Sequence, residues 1–181
     1  MPGVLGGSPA IQSADDITSD EVRIHIDVKV RPGVTDPDSR NLFAYCDTCL
    51  AAGSPPRRSE LPAREIVALL PNIFMLEPVD ARGADWRFRL MGQGIVSRFG
   101  GDATDLTISQ LYDPAQVEHN ARIYREVSIG DTPNVTHGTF QGIDKEYLEF
   151  EIVHLPLIGT DGDTRWILGG IFFDGTHLTT S

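Results

Sequence analysis

At 181 residues, with 40% hydrophobic and 23% charged content, the chain is long enough to bury a real core without disulfide or metal staples. Fifteen basic against 26 acidic residues give a formal charge of -11, a field that repels phosphate backbones and anionic lipid heads, so no nucleic-acid and no membrane partner is expected. No apolar run approaches the roughly 20 residues needed to span a bilayer. Residues 1–14 lack a basic n-region and a continuous apolar h-region, so a cytoplasmic location is expected.

Residues 1–20 are rich in Gly, Ser, Pro and Asp without periodicity, which predicts a disordered tail. In residues 21–30, Val22, Ile24, Ile26, Val28 and Val30 alternate with Arg23, His25, Asp27 and Lys29, a strong strand pattern. One strand cannot bury a face alone, so it should join the sheet edge, cross to a partner chain or pair with a copy of itself. With the linker that follows, it makes a unit of residues 21–38.

A helix is expected over 40–52, stopped by Gly53 and by Pro55 and Pro56, within a helix-and-linker unit of residues 39–58. Leu42, Phe43, Tyr45, Cys46, Cys49 and Leu50 share one broad face at helical spacing. Cys46 and Cys49 form a C-x-x-C, but the chain has no other cysteines to complete a zinc set, and the pair lies within a helix rather than at a strand-to-helix junction. Small buried side chains are the expectation, which also suits a reducing compartment.

The main domain is expected over 59–175, followed by a tail over 176–181. A helix starts between 59 and 65 and is ended by Pro71. Two strands, 72–80 and 85–91, are joined by the turn 81–84 as a hairpin. Phe88 and Leu90 alternate with Arg87 and Arg89, and these arginines are expected to solvate their face or to pair with two glutamates of a later strand. The glycines over 92–101 miss both the Rossmann spacing and the Walker lysine, so a short helix over 95–99 is the better reading. A helical turn over 107–112, capped by Thr107, precedes the longest helix. That helix opens at Asp113 and Pro114, closes at Gly130, and carries Val117, Ala121, Tyr124 and Val127 on its apolar stripe. His119 falls off the stripe and is expected in solvent.

Three strands over 134–140, 146–157 and 164–174 follow as an antiparallel meander. In the middle one, Leu148, Phe150, Ile152 and His154 alternate with Tyr147, Glu149, Glu151 and Val153, and the two glutamates mark the face expected to be wet. The last strand is apolar on both sides: Trp166, Leu168 and Phe172 on one, Ile167, Ile171 and Phe173 on the other. Its second face therefore needs a cover, and the helix carrying Tyr45 and Cys46 is the candidate.

This order of elements resembles a PAS domain. The wording Leu69-Leu70-Pro71-Asn72-Ile73, Phe88-Arg89-Leu90-Met91-Gly92-Gln93-Gly94-Ile95 and Leu155-Pro156-Leu157 is similar to a group of short bacterial PAS proteins catalogued as PAS family 5. So is the segment 42–56 with its following arginines. Two positions depart from the group: Cys46 where an aromatic is common, and Asp105 where a glycine is. The resemblance covers about 40–173 and implies an α+β fold, a five-stranded antiparallel sheet with helices over one face, to which the strand and helix at the amino end are additions. It implies a sensory or signalling module that binds a ligand or a partner, and it implies no catalytic motif.

A PAS cavity lies between the sheet and the short helices. Alternation assigns its lining to Phe88, Leu90, Phe99, Tyr124, Leu148, Phe150, Ile152, Trp166 and Leu168, with His137, Thr139 and His154 as its polar groups. A small apolar or amphipathic ligand is the expected occupant, and the same side chains can equally make a closed core. The cofactor is left open: His154 or His137 has the chemistry of a haem ligand, whereas no cysteine stands in 92–112 for flavin photochemistry. The rival class is an isomerase or lyase of a cone-shaped α+β fold, with His154 as base beside Asp102 or Asp144. Serine elbows and H-E-x-x-H motifs are absent, so no enzyme is expected. With no effector segment in the chain, output should be a change in association with an unidentified signalling partner or in a homodimer formed through the N-terminal helix or strand.

Overall fold

The computed structural model describes residues 34–141 and 147–173, with only the backbone described at 139–141 and 147–148. The strand expected over 21–30, both tails and the turn at 142–144 lie outside the described residues.

Helix α1, Pro37–Ala51, starts where the chemistry of its first turn permits. Asp36 Oδ1 accepts from Asp38 N at 2.8 Å and Ser39 N at 3.0 Å, and Pro37 occupies a first-turn site that needs no N–H. The helix thus begins at Pro37 rather than at 40. Two 3₁₀ segments, Arg58–Glu60 and Arg64–Asn72, stand where one α-helix was expected, and Pro71 lies inside the second instead of ending it. Pro62 and Pro71 each remove a backbone donor, which favours short, tight turns over a continuous α-helix.

Strands β1 (Ile73–Pro78) and β2 (Trp86–Met91) form the expected hairpin. Helices α2 (Gln93–Phe99), α3 (Ile108–Leu111) and α4 (Pro114–Gly130) follow, and β3 (Asn134–Gln141), β4 (Tyr147–Ile158) and β5 (Arg165–Phe173) complete one antiparallel sheet of order β2-β1-β5-β4-β3. Gln110 accepts from Thr107 N at 2.9 Å to start α3, and the Asp113 carboxylate accepts from Gln116 N to start α4. Asp105 is left-handed at φ 70°, the backbone shape that glycine adopts most easily, and its carboxylate meets Arg89 at 3.1 Å.

The sheet is covered on both sides. On one side Leu42 and Cys46 of α1, with Ile66 and Leu69, pack on Ile73, Met75, Val153, Leu155, Leu157, Trp166, Leu168 and Phe172. On the other side Ile95, Ile108, Ala121, Tyr124 and Val127 of the three later helices pack on Phe74, Leu76, Trp86, Phe88, Phe150, Ile167 and Ile171. The two-sided character of β5 and its cover by α1 are as the alternation requires.

Two expectations need correction. The face marked by glutamates is only partly wet: Glu149 is exposed, but Glu151 is 4% exposed, because α1 and the segment before it lie over it. The arginines of β2 do not reach the glutamates of β4, since β1 and β5 stand between those strands. Arg89 instead meets Glu77 at 3.5 Å as well as Asp105.

Glu151 is the polar anchor of the amino-terminal segment. Its Oε2 accepts from Thr35 N at 3.0 Å and Thr35 Oγ1 at 2.6 Å, its Oε1 faces Asp36 N at 3.4 Å, and His137 Nε2 lies 3.7 Å away. Burial alone would raise this carboxyl, but the hydrogen bonds from Thr35 and Asp36 outweigh it and hold the group below the usual carboxylate value. The folded value is the lower one, so its stabilisation is present above the ordinary carboxylate range and is lost as pH falls through the folded value. Glu151→Ala should cost about 2–3 kcal/mol in urea denaturation, the range for removing a charge-assisted acceptor from buried donors. A cost below 0.5 kcal/mol would show that this anchor does not hold α1.

Candidate functional site

The face of the sheet under α4 carries a histidine and an asparagine with buried polar atoms that the fold leaves without a partner. Strand pairing sets its rows: Phe74 is opposite Gly169, Gly169 is opposite His154, and His154 is opposite Asn134. In the next rows Ile171, Ile152 and Thr136 align, as do Phe173, Phe150 and Gly138.

The rings interlock. His154 lies 6.1 Å from Phe74 and 5.5 Å from Tyr124 between centroids, Tyr124 meets the Trp86 edge at 5.5 Å, and Phe74 meets Phe88 at 6.1 Å. Trp86 is fixed by donating Nε1–H to Gly83 O at 3.0 Å. Nearer the other end, Phe173 lies 6.1 Å from Phe150 and 6.2 Å from Phe99, with the Arg98 guanidinium 5.0 Å over its ring. Phe74 fills the space over Gly169, where an added Cβ would stand 2.0 Å from its ring, and Phe150 fills the space over Gly138, where the gap would be 2.6 Å. These glycines are wells that aromatic rings occupy.

Two buried polar atoms on this face have no hydrogen-bond partner: His154 Nδ1 and Asn134 Oδ1. They belong to residues directly opposite each other on β4 and β3. His154 is 4% exposed, and burial pushes its imidazole down to about 3, so the ring is neutral across the physiological range. Thr136, also 4% exposed, adds a hydroxyl to the same face. Burial raises the phenols of Tyr112 and Tyr124, which are neutral donors here. The arrangement offers acceptors and donors without charge in an apolar surround. It suits recognition of a neutral molecule rather than proton transfer.

The structure brings Phe88, Phe99, Tyr124, Phe150, Ile152 and His154 together in this way. Leu90, Trp166 and Leu168 go to the α1 side. For Leu90 the cause is a β-bulge: Met75 pairs with Leu90 and Leu76 with Phe88, so Arg89 is extra and the strand turns over between them. Trp166 and Leu168 follow the odd-even order of β5, whose inward set on this face is Ile167, Gly169, Ile171 and Phe173. His137 also faces the α1 side, beside Glu151. Thr139 and Leu148 lie where only the backbone is described. Asn134, Thr136, Phe74 and the two glycine wells were not expected. The β3–β4 register pairs residues of equal parity, and that parity alone would have put 134, 136 and 138 on the face of His154, with 134 directly opposite it.

Other candidates do not assemble. No group of three or more His, Cys, Asp or Glu able to hold a metal occurs among the described residues. Burial pushes the Cys46 thiol up to about 12 and raises Cys49 as well, opposite to the shift of a reactive thiol. His119 is only partly exposed, with Nδ1 3.4 Å from Arg122, so it is not simply in solvent. Asp102 is exposed and bonds Thr104, and Asp144 lies outside the described residues, so no described acid orients His154. No helix among the described residues is long and apolar enough to cross a membrane.

A neutral buried histidine makes the unfolded chain the better proton acceptor below its ordinary value, so stability should fall as pH drops from 6.5. The loss should reach about 2 kcal/mol by pH 5, at 1.36 kcal/mol per pH unit, and His154→Leu should flatten that slope. Histidine ring resonances would check the same point: a His154 signal that titrates between pH 5 and 8 would contradict its burial.

A family model described as PAS domain matches residues 34–172. No curated protein matches the sequence. Among solved structures, the PAS domain of BvgS from Bordetella pertussis is similar at 17% identity and a TM-score of 0.46, covering 61% of this chain and 84% of that one. The PAS domain of an HTR-like protein from Haloarcula marismortui gives 17% identity, a TM-score of 0.42, and coverage of 65% and 95%. A PAS-B variant of Cycle from Drosophila melanogaster, solved with bound glycerol, gives 9% identity, a TM-score of 0.42, and coverage of 57% and 99%.

Proposed function

Because the chain belongs to the PAS domain family, a family of sensory and signalling modules, we propose that it senses a small neutral amphipathic ligand on the α4 side of its sheet. The observation that carries this is the facing pair of unpartnered buried polar atoms, His154 Nδ1 and Asn134 Oδ1, set among rings. A ligand hydroxyl or amide that both donates and accepts would satisfy the two, and the remaining contact would be apolar. Room for it would come from rotation of Phe74 off Gly169 or of Phe150 off Gly138, the two places on this face where only a ring fills a glycine well. Catalysis is not part of this reading, since the histidine has neither an orienting acid among the described residues nor a pKa suited to a base.

Native mass spectrometry of the purified protein should show a retained small molecule, and His154→Phe, which removes the acceptor and fills space, should lose it. Retention undiminished in His154→Phe would take His154 out of the site.

The output we propose is association, with a second copy of the chain meeting α1. Support comes from position: α1 sits on β4 and β5 opposite the ligand face, and its outward side presents Asn41, Ala44, Asp47, Thr48 and Ala51, small and polar enough for a reversible contact. Ala44→Arg should then halve the molar mass measured by light scattering while leaving the circular dichroism unchanged. A mass unaffected by this change would exclude α1 as the interface.

A further inference from the structure

We propose that the outer edge of β3 is a docking site for extended chain, and that its occupant is the alternating segment 21–30 of the same molecule. The two edges of the sheet differ. The β2 edge is already closed, since Phe88 N donates to Leu106 O at 2.9 Å, Asp105 N donates to Phe88 O at 2.8 Å, and Arg87 bridges to Thr107. The β3 edge pairs only with β4 among the described residues, over eight registered positions without a bulge.

Natural edges are usually defended by Pro, Lys, an inward charge or a bulge. Asn134–Gln141 reads NVTHGTFQ and contains no Pro, Lys, Arg, Asp or Glu. An undefended edge of this length would recruit strands from any neighbour unless something covered it. The chain carries such a cover in sequence: Val22, Ile24, Ile26, Val28 and Val30 on one side, and Arg23, His25, Asp27 and Lys29 on the other. Its apolar side has a surface to continue, because Val135 of β3 and partly buried Val34 belong to the core on the α1 side.

Geometry favours the same molecule as the donor. Thr35 is held on Glu151, which stands opposite His137 on β3. From the β4 line to a strand beyond β3 is two strand spacings, about 10 Å. The five residues from 30 to 35 can span up to about 17 Å, so the segment reaches the edge without strain. So short a tether also gives it a millimolar-scale local concentration that a second copy does not match. The anchor at Glu151 and the edge at β3 thus act together, the first delivering the chain to the second.

The test is amide hydrogen exchange on the full chain and on the double variant Ile24→Asp, Ile26→Asp, with β5 amides as an internal control for global unfolding. The expected result is that residues 134–138 exchange at least about tenfold faster in the variant while residues 167–172 are unchanged, and that Arg23→Glu, on the polar side, has no effect. Unchanged protection at 134–138 would overturn the proposal, as would equal loss in Arg23→Glu. Light scattering in the Ala44→Arg background, which removes the contact proposed for α1, separates the source of the strand. Protection that is independent of protein concentration supports the same molecule, and protection that appears only with a doubled mass assigns the edge to a second copy and overturns it.

Discussion

Two adjacent glycines in the central strand set the limits of everything packed around them. Gly169 leaves the space that Phe74 fills on the α4 side, and Gly170 leaves the space that Phe172 and Leu42 fill on the α1 side. Any side chain at either position would have to displace an aromatic ring or the first core contact of α1. Because successive residues of a strand point to opposite faces, a pair of glycines opens both faces at one level. The sheet is therefore thinnest, and its two cores closest, where His154 pairs with Gly169 and Val153 with Gly170.

This geometry explains why the fold was easier to read from the sequence than the site. The order of helices and strands follows from caps, turns and periodicity, all of which are local. Asp36, Asp113 and Thr107 start their helices by bonds within three residues, and the alternation of β5 correctly divides Ile167, Ile171 and Phe173 from Trp166, Leu168 and Phe172. Which of those two sets faces α4 is not local. It depends on a bulge at Arg89, on the register between β3 and β4, and on α1 covering the face that its glutamates had marked as wet. The sequence holds a weak signal for each, but only parity counted from a fixed turn centre would have turned it into an assignment.

The two buried polar centres of β4 also divide cleanly. Glu151 faces α1 and is charged, because backbone and side-chain donors from Thr35 and Asp36 surround it. His154 faces α4 and is neutral, because it is buried among rings with no acid beside it among the described residues. Three residues along a strand place them on opposite faces, and the difference in partners sets opposite electrostatic roles. One secures a helix, where a charge is worth its desolvation. The other leaves a ring nitrogen without a partner in an apolar setting, a cost that the proposed ligand would offset.

With the proposed ligand, that asymmetry would supply a route between the faces that needs no large movement. A donor reaching His154 Nδ1 would rearrange the rings around it, and Phe74 rests on Gly169, whose neighbour Gly170 receives Leu42 of α1. Interiors packed to this density do not deform smoothly; they switch between discrete packings. A ring that leaves the Gly169 well changes the support of the strand at the level where α1 touches it. The strength of coupling is bounded by the difference in ligand affinity between the two packings. On the proposed reading, the same glycines that let the two cores approach would also make the position of α1 sensitive to a ligand on the opposite face, whereas a sheet with larger residues at 169 and 170 would separate the faces and lose that sensitivity.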